Sequence, residues 1–309
     1  MKSNAQQRLA KVKTIDFKAN SHTEFLCNSA RACTEMPHIE EENLSMEPDV
    51  LTSRIPHIKQ ALLSAIEAQR IDLVYQGQNA LPSQQLVGVE ALCRIAPGPW
   101  GDVTPDQFIP VAEHIGLIAP LERLVFQQVA RDLPQLLTVH PHIRIGVNLS
   151  IRHISALDFS SFINGWLDAL PTSTIARLDF EITETYFQRI SQTVIDGLHA
   201  LRKRGVRIVM DDFGSGQSSL NRLHTLPFDV IKLDKQFAQQ IEHPMVSAIV
   251  KAAVNFAQEF DLDLIAEGVE TAKQCQALQA LGCRLVQGFY FSQPQPLAHW
   301  LTAHNTPAP

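Results

Sequence analysis

Basic charge, paired cysteines and long apolar runs are what this chain of 309 residues lacks. With 26 Lys+Arg against 32 Asp+Glu and a net charge of -6, it has no cationic excess with which to hold long nucleic acid, although a local basic pocket could still grip a small phosphate ligand. Its cysteines, Cys27, Cys33, Cys93, Cys275 and Cys283, form no C-x-x-C pair, which argues against structural zinc and suits reduced thiols in the cytoplasm. No run of about 18 apolar residues occurs, so no membrane span is expected. The basic start from Met1 to Asn20 lacks the apolar stretch of a signal peptide. Also missing are G-x-x-x-x-G-K-[ST], H-E-x-x-H and G-x-S-x-G, so triphosphatase, zincin and serine hydrolase chemistries lack their required parts. What is present is 45% hydrophobic residues, enough for a large core.

Residues 1–49 contain no glycine and little apolar periodicity, with a basic beginning and the acidic run Glu40-Glu41-Glu42. They read as a poorly ordered, solvated tail. A protein partner for that tail is not specified by charge alternation alone. From Asp49 the texture changes: Ile55, Ile58, Leu62 and Ile66 recur at helical spacing. Strands are expected over Leu73–Tyr75, Val87–Leu92, Arg144–Leu149, Leu178–Ile182, Arg207–Met210, Val230–Leu233, Leu262–Ala266 and Arg284–Val286. Helical stripes fall between them, one at Val194, Leu198 and Leu201 and another at Val246, Ile249, Val250, Ala253, Phe256 and Phe260. The interval 93–143 holds two helices. Eight strands alternating with helices make a single α/β (β/α)8 TIM-like barrel over residues 50–304 the economical fold, with a doubly wound open sheet as runner-up and 305–309 as a short C-terminal tail. The turn Asn79–Gln85 is short enough for a hairpin, which allows the first strand to run antiparallel.

Glu90, Asn148, Glu181, Asp211, Asp212, Lys232, Asp234, Glu267 and Gln287 lie within these strands or just beyond their C-terminal ends. A barrel gathers such positions at one mouth. Acids crowded there around a single lysine would repel one another unless divalent cations neutralised them. Carboxylate and amide oxygens without His or Cys suit Mg²⁺ or Mn²⁺. Adjacent Asp211 and Asp212 could engage two ions about 3.5–4 Å apart, the arrangement used for phosphoryl displacement, which points to a phosphate ester substrate. His140, His142 and His153 near the third strand read as surface or structural residues.

The same residues carry a resemblance. Val89-Glu-Ala-Leu-Cys-Arg94, Val147-Asn-Leu-Ser150, Glu181-Ile-Thr-Glu184, Asp211-Asp-Phe-Gly-Ser-Gly216, Ile231-Lys-Leu-Asp234, Ala266-Glu-Gly-Val-Glu270 and Gln287-Gly-Phe-Tyr290 resemble, in order, the blocks of the EAL-domain cyclic di-GMP phosphodiesterases. The resemblance implies hydrolysis of cyclic di-GMP to linear pGpG with two Mg²⁺ or Mn²⁺ ions and no organic cofactor, in a cytoplasmic homodimer. It implies Glu90, Asn148, Glu181 and Asp211 as ligands of one ion, with Asp211 and Asp212 on the second. Lys232 would orient or help activate the attacking water, and Glu267 would act as general base or as that water's metal-side partner, supported by Glu270. Arg94 would bind the substrate phosphate, Gln76 and Gln287 would contact substrate, and Asp234 would sit beside the water network. Glu184 would anchor the loop Phe213–Ser219. Three positions depart from the family pattern, Gly77, Ile95 and Gln217, and Gly77 is expected to loosen the end of the first strand. The competing reading is a silent module that binds cyclic di-GMP or docks a protein. Silent relatives are expected to have lost acids from this set, and every one is present here.

Overall fold

The computed structural model describes residues 48–96, 102–184, 190–215 and 226–302. The tail expected over 1–49, apart from its last residues, the C-terminal tail and Gln217 lie outside them. The chain divides at Thr52, and Ser53–Pro309 forms one compact unit.

The elements run α1 (Pro48–Glu67), β1 (Asp72–Ala80), β2 (Leu86–Arg94), α2 (Pro105–His114), α3 (Ile118–Val139), β3 (Arg144–Asn148), α4 (Ile151–Ile154), α5 (Phe159–Asp168), α6 (Thr172–Ile175), β4 (Leu178–Thr183) and α7 (Gln192–Lys203). They continue with β5 (Arg207–Phe213), β6 (Val230–Leu233), α8 (Lys235–Gln239), α9 (Pro244–Glu259), β7 (Asp263–Ala266), α10 (Ala272–Ala280), β8 (Leu285–Gln287), β9 (Gln295–Pro296) and α11 (Leu297–Trp300). Strands β2 to β8 pair in parallel in sequence order, and β1 closes the barrel by pairing antiparallel with both β2 and β8. All eight expected strands are present, the hairpin joins β1 to β2, and two helices, α2 and α3, fill the long interval. The two-residue β9, which pairs with Val74 and Tyr75 of β1, has no periodicity to announce it.

Side chains alternate along each strand, and this alternation sorts the barrel. Outward residues such as Val89, Ile145, Val147, Phe180, Ile182 and Ile208 join the core under the helices, where Phe126 meets Trp166 and Phe180 edge to face. Inward residues change character along the axis. At the floor, Asp179 accepts from Arg144 Nε at 2.7 Å and Arg207 Nη2 at 2.7 Å, and Arg207 Nη1 reaches Asp263 at 2.6 Å. Above lies a small apolar layer of Val209, Val230 and Ile265. Two residues further along their strands stand Asp211, Lys232 and Glu267. Period two thus carries β5 and β7 from a charged plug through an apolar layer to the polar mouth.

Two expectations are corrected. The stripe on α9 is split: Val250 is buried with Val254 and Ala257, whereas Ile249 is 45% and Phe260 62% exposed. A helix this apolar carries a second row beside the core-facing one. Gly77 does not loosen a strand end; it is buried within the nine-residue β1, opposite Val89, and its N–H donates to Ser292 Oγ at 3.0 Å. An added Cβ would lie 2.9 Å from both Ser292 Oγ and the Trp300 ring, so the site is close-packed for glycine.

Candidate active site

Lys232 organises the mouth. Its side chain is 1% exposed, and its ammonium lies 2.7 Å from Glu181, 2.7 Å from Glu267, 3.0 Å from Glu90 and 3.2 Å from Asp211. The four acids come from β4, the end of β7, β2 and β5, so elements remote in sequence deliver them to one point. Burial alone would lower the lysine's pKa, but these carboxylates hold it well above the usual range.

One ammonium cannot balance four carboxylates. Burial pushes Glu267 up to about 8, with Asp211 and Glu90 adding to the rise against Lys232. Burial and then the charge of Asp211 push Asp212 up to about 7. Glu181 is raised by burial and by Glu90. For Glu90 burial also raises the carboxyl, yet Lys232, Gln287 and Asn148 together bring it below the ordinary value. The nest therefore retains protons at neutral pH.

Each acid owes its place to local backbone. Glu181 needs Gly146 across on β3, since an added Cβ there would strike the Glu181 carboxylate. Between β5 and β6 the pairing slips, from Met210 opposite Ile231 to Phe213 opposite Leu233, which leaves one extra residue on β5. Asp212 takes φ 56° at that bulge. In a regular strand Asp211 and Asp212 would face opposite ways; the bulge brings both to the same side at the cost of a left-handed conformation that aspartate tolerates better than most residues. Ligand oxygens of Asp211, Asp212 and Glu267 all lie within 4.8 Å of one another, close enough to share one ion. Among the described residues Asp211 Oδ1 is buried without an aligned hydrogen-bond donor, although Lys232 is within ion-pair reach. An orphaned buried carboxylate oxygen in an all-oxygen donor set fits a hard divalent cation.

Amides complete the mouth. Asn148, exposed at the end of β3, donates to Glu90 Oε1 at 3.0 Å. Gln287 donates to Glu90 Oε2 at 2.7 Å and to Gln76 Oε1 at 3.3 Å, and Gln76 donates to the Ser292 carbonyl at 3.2 Å. Asp234 adds its charge to the rise of Asp212, while the bonds of the other expected site residues are made elsewhere. Glu184 Oε2 accepts the Gly214 N–H at 2.9 Å, where Gly214 has φ 88°. Asp234 caps α8 by accepting from the Gln236 N–H at 2.8 Å. Arg94 donates to the Cys93 carbonyl at 2.9 Å, and Glu270 is exposed beyond β7.

Several contributors escaped the sequence reading. Gln78 is buried and donates to Gln287 Oε1 at 3.0 Å; with Gln76 it forms an i, i+2 pair that alternation along a longer β1 would have revealed. Behind β3, Ser150 donates through its N–H to Glu122 at 2.6 Å and through its hydroxyl to Glu113 at 2.6 Å. Two lone acids in amphipathic helices gave no signal of that.

The EAL domain family matches residues 59–294. Over 245 residues, 78% of this chain and 31% of the relative, the sequence is 36% identical to the cyclic di-GMP phosphodiesterase NbdA of Pseudomonas aeruginosa. It is 35% identical over 248 residues, 78% of this chain and 36% of the relative, to the bifunctional diguanylate cyclase/cyclic di-GMP phosphodiesterase MucR of the same organism. The chain thus spans about a third of the length of these curated relatives. Among solved structures, the PaMucR phosphodiesterase in complex with c-di-GMP superposes with a TM-score of 0.72 at 33% identity, covering 79% of this chain and 99% of that one. Barrel, acidic mouth and sequence agree, and the chain belongs to the EAL domain family.

Proposed function

We propose that this protein hydrolyses cyclic di-GMP to linear pGpG. Water oxygen forms a bond to phosphorus, the bond from phosphorus to the 3′-oxygen breaks, and a proton ends on that leaving oxygen. The observation that carries the reading is the over-charged nest: four carboxylates on one buried ammonium, with Asp211, Asp212 and Glu267 within reach of one ion.

Glu90, Asn148, Glu181 and Asp211 would hold one Mg²⁺ or Mn²⁺, and Asp211 with Asp212 the second. When bound, such ions supply Lewis-acid polarisation at phosphorus and lower the pKa of water. Glu267, beside Lys232 and Asp211, accepts the proton of the attacking water, with Glu270 supporting that region. Lys232 orients the water and Asp234 flanks it. Arg94 meets the substrate phosphate, Gln76 and Gln287 contact the nucleotide, and Glu184 anchors the loop after Asp212 through Gly214. The acids of the nest repel one another until two such ions would be held there, and a substrate phosphate would then meet a neutralised mouth.

The working unit we propose is a homodimer, supported by Met245, Ile249 and Phe260, which are 64%, 45% and 62% exposed along and just past α9. No helix among the described residues is long and apolar enough to cross a membrane. The free thiols of Cys93, Cys275 and Cys283 suit a cytoplasmic compartment. The test is incubation of purified protein with cyclic di-GMP and Mg²⁺ or Mn²⁺, following pGpG by chromatography. Linear product that vanishes in Glu90→Ala is the expected result; binding without turnover would favour the silent module instead.

A further inference from the structure

Asn148 is the one neutral group in the proposed ligand set, and it sits exposed at the tip of β3. An amide oxygen attracts a cation less than a carboxylate does, so its contribution depends on being held in place. On the strand side, Leu149 extends the ladder by donating its N–H to the Glu181 carbonyl at 2.8 Å. On the far side the chain turns at Ser150, the N-cap of α4. There two acids from different helices converge: Glu122 of α3 accepts the Ser150 N–H and Glu113 of α2 accepts its hydroxyl, both at 2.6 Å. The two acids are 6% and 8% exposed.

Burying two carboxylates beside one serine is costly. Glu122 is itself fixed, because its second oxygen lies 2.7 Å from Nδ1 of His153, a fully buried ring packed against Phe159 and Phe162. Among the described residues Nε2 of His153 has no hydrogen-bond partner, and Nδ1 holds the ring to Glu122. A helix cap needs none of this. A polar strut of His153, Glu122 and Ser150 instead makes the position of residue 150, and hence of Asn148 two residues earlier, rigid.

We infer that Glu122, locked by His153, is a positioning residue that holds the Asn148 amide in the metal-binding set. The inference rests on the metal-dependent reading above, and the experiment separates the two. Mn²⁺ alone is titrated calorimetrically into the metal-free full chain and into three variants: Glu122→Leu, Glu122→Gln, and the double variant Glu122→Leu with His153→Phe. The double variant replaces both partners by apolar groups, which spares the fold the cost of an orphaned charge. Glu122→Leu and the double variant are expected to bind Mn²⁺ about 10- to 100-fold more weakly, the loss typical when a group supporting a ligand is removed. Glu122→Gln, which keeps an oxygen for the Ser150 N–H, restores nearly wild-type affinity. A double variant that folds and binds Mn²⁺ like the wild type overturns the inference, as does Glu122→Gln binding no better than Glu122→Leu. Wild-type protein that binds no Mn²⁺ overturns both this inference and the metal-dependent reading.

Discussion

Replacing Lys232 by methionine tests the electrostatic account most directly. Methionine keeps the unbranched stem and removes the ammonium that four carboxylates now share. The lysine side chain is 1% exposed, so bulk water does little to screen the charges it balances. Removing one partner of a buried ion pair costs about 3–5 kcal/mol. In a domain of this size each kcal/mol moves Tm by about 2–4 °C, so the metal-free variant should melt roughly 6–20 °C below the wild type. The deficit has a sign with pH. At about pH 5 the neighbouring acids take up protons and tolerate the loss, whereas towards about pH 9 they ionise without a counter-charge, so the gap widens upward. Mn²⁺ at a hundred times its Kd should return about 2.7 kcal/mol. Scanning calorimetry in chelator across that pH range, then with Mn²⁺, reads all three effects. Coincident melting curves for variant and wild type at about pH 9 would refute the claim that the nest is over-charged.

Other outcomes follow from the same geometry. Glu267→Gln should lower turnover of cyclic di-GMP by about 10² to 10⁴ while substrate binding survives, measured by chromatography beside calorimetry; full activity would reject Glu267 as the base. In the metal-free wild type, the Glu267 and Asp212 carboxyls are pushed up to about 8 and about 7 by burial in the folded chain, against the ordinary 4.5 and 3.8. The folded chain therefore binds protons that the unfolded chain has released. That stabilisation is complete below about pH 4 and lost as pH rises through about 8, so the urea midpoint in chelator should fall over this window. A flat midpoint would contradict the raised values. Gly146→Ala puts a methyl where the Glu181 carboxylate rests and should cost about 1–3 kcal/mol of stability and weaken Mn²⁺ binding; unchanged binding would mean Glu181 has room to spare. Phe260→Glu should shift the sedimenting species from dimer to monomer, and an unaltered profile would move the proposed interface off α9.

Strands β3 to β8 were legible because their outward faces form apolar runs that end in chemistry. β1 was legible only as far as Tyr75. Its second half, Gln76 to Asn79, shows no apolar alternation, because Gln76 and Gln78 point into the barrel, where both bond Gln287. Glu90, Glu181, Asp211, Lys232 and Glu267 could be grouped from sequence since each lies within a strand or just past its C-terminal end. The bulge that turns Asp212 inward leaves no trace in the sequence, being a matter of register with β6. The Ser150 strut is equally silent, because it depends on helices α2 and α3 lying side by side behind β3. On α9 the periodicity of the apolar residues is real, but periodicity does not tell which of two apolar rows meets the core.

The reversed direction of β1 sets where outside forces reach the molecule. In a barrel of parallel strands the entering segment comes in at the floor, away from the chemistry. Here Asp72, the first residue of β1, is level with Arg94 on the working rim. Helix α1 leads there through Ile58, Leu62 and Ala65, which share a hydrophobic cluster with Ile95, the residue after Arg94. Close-packed side chains transmit displacement instead of absorbing it. A tug or twist on α1 is accordingly delivered beside the arginine proposed to grip phosphate, as a tiller is mounted at the rudder.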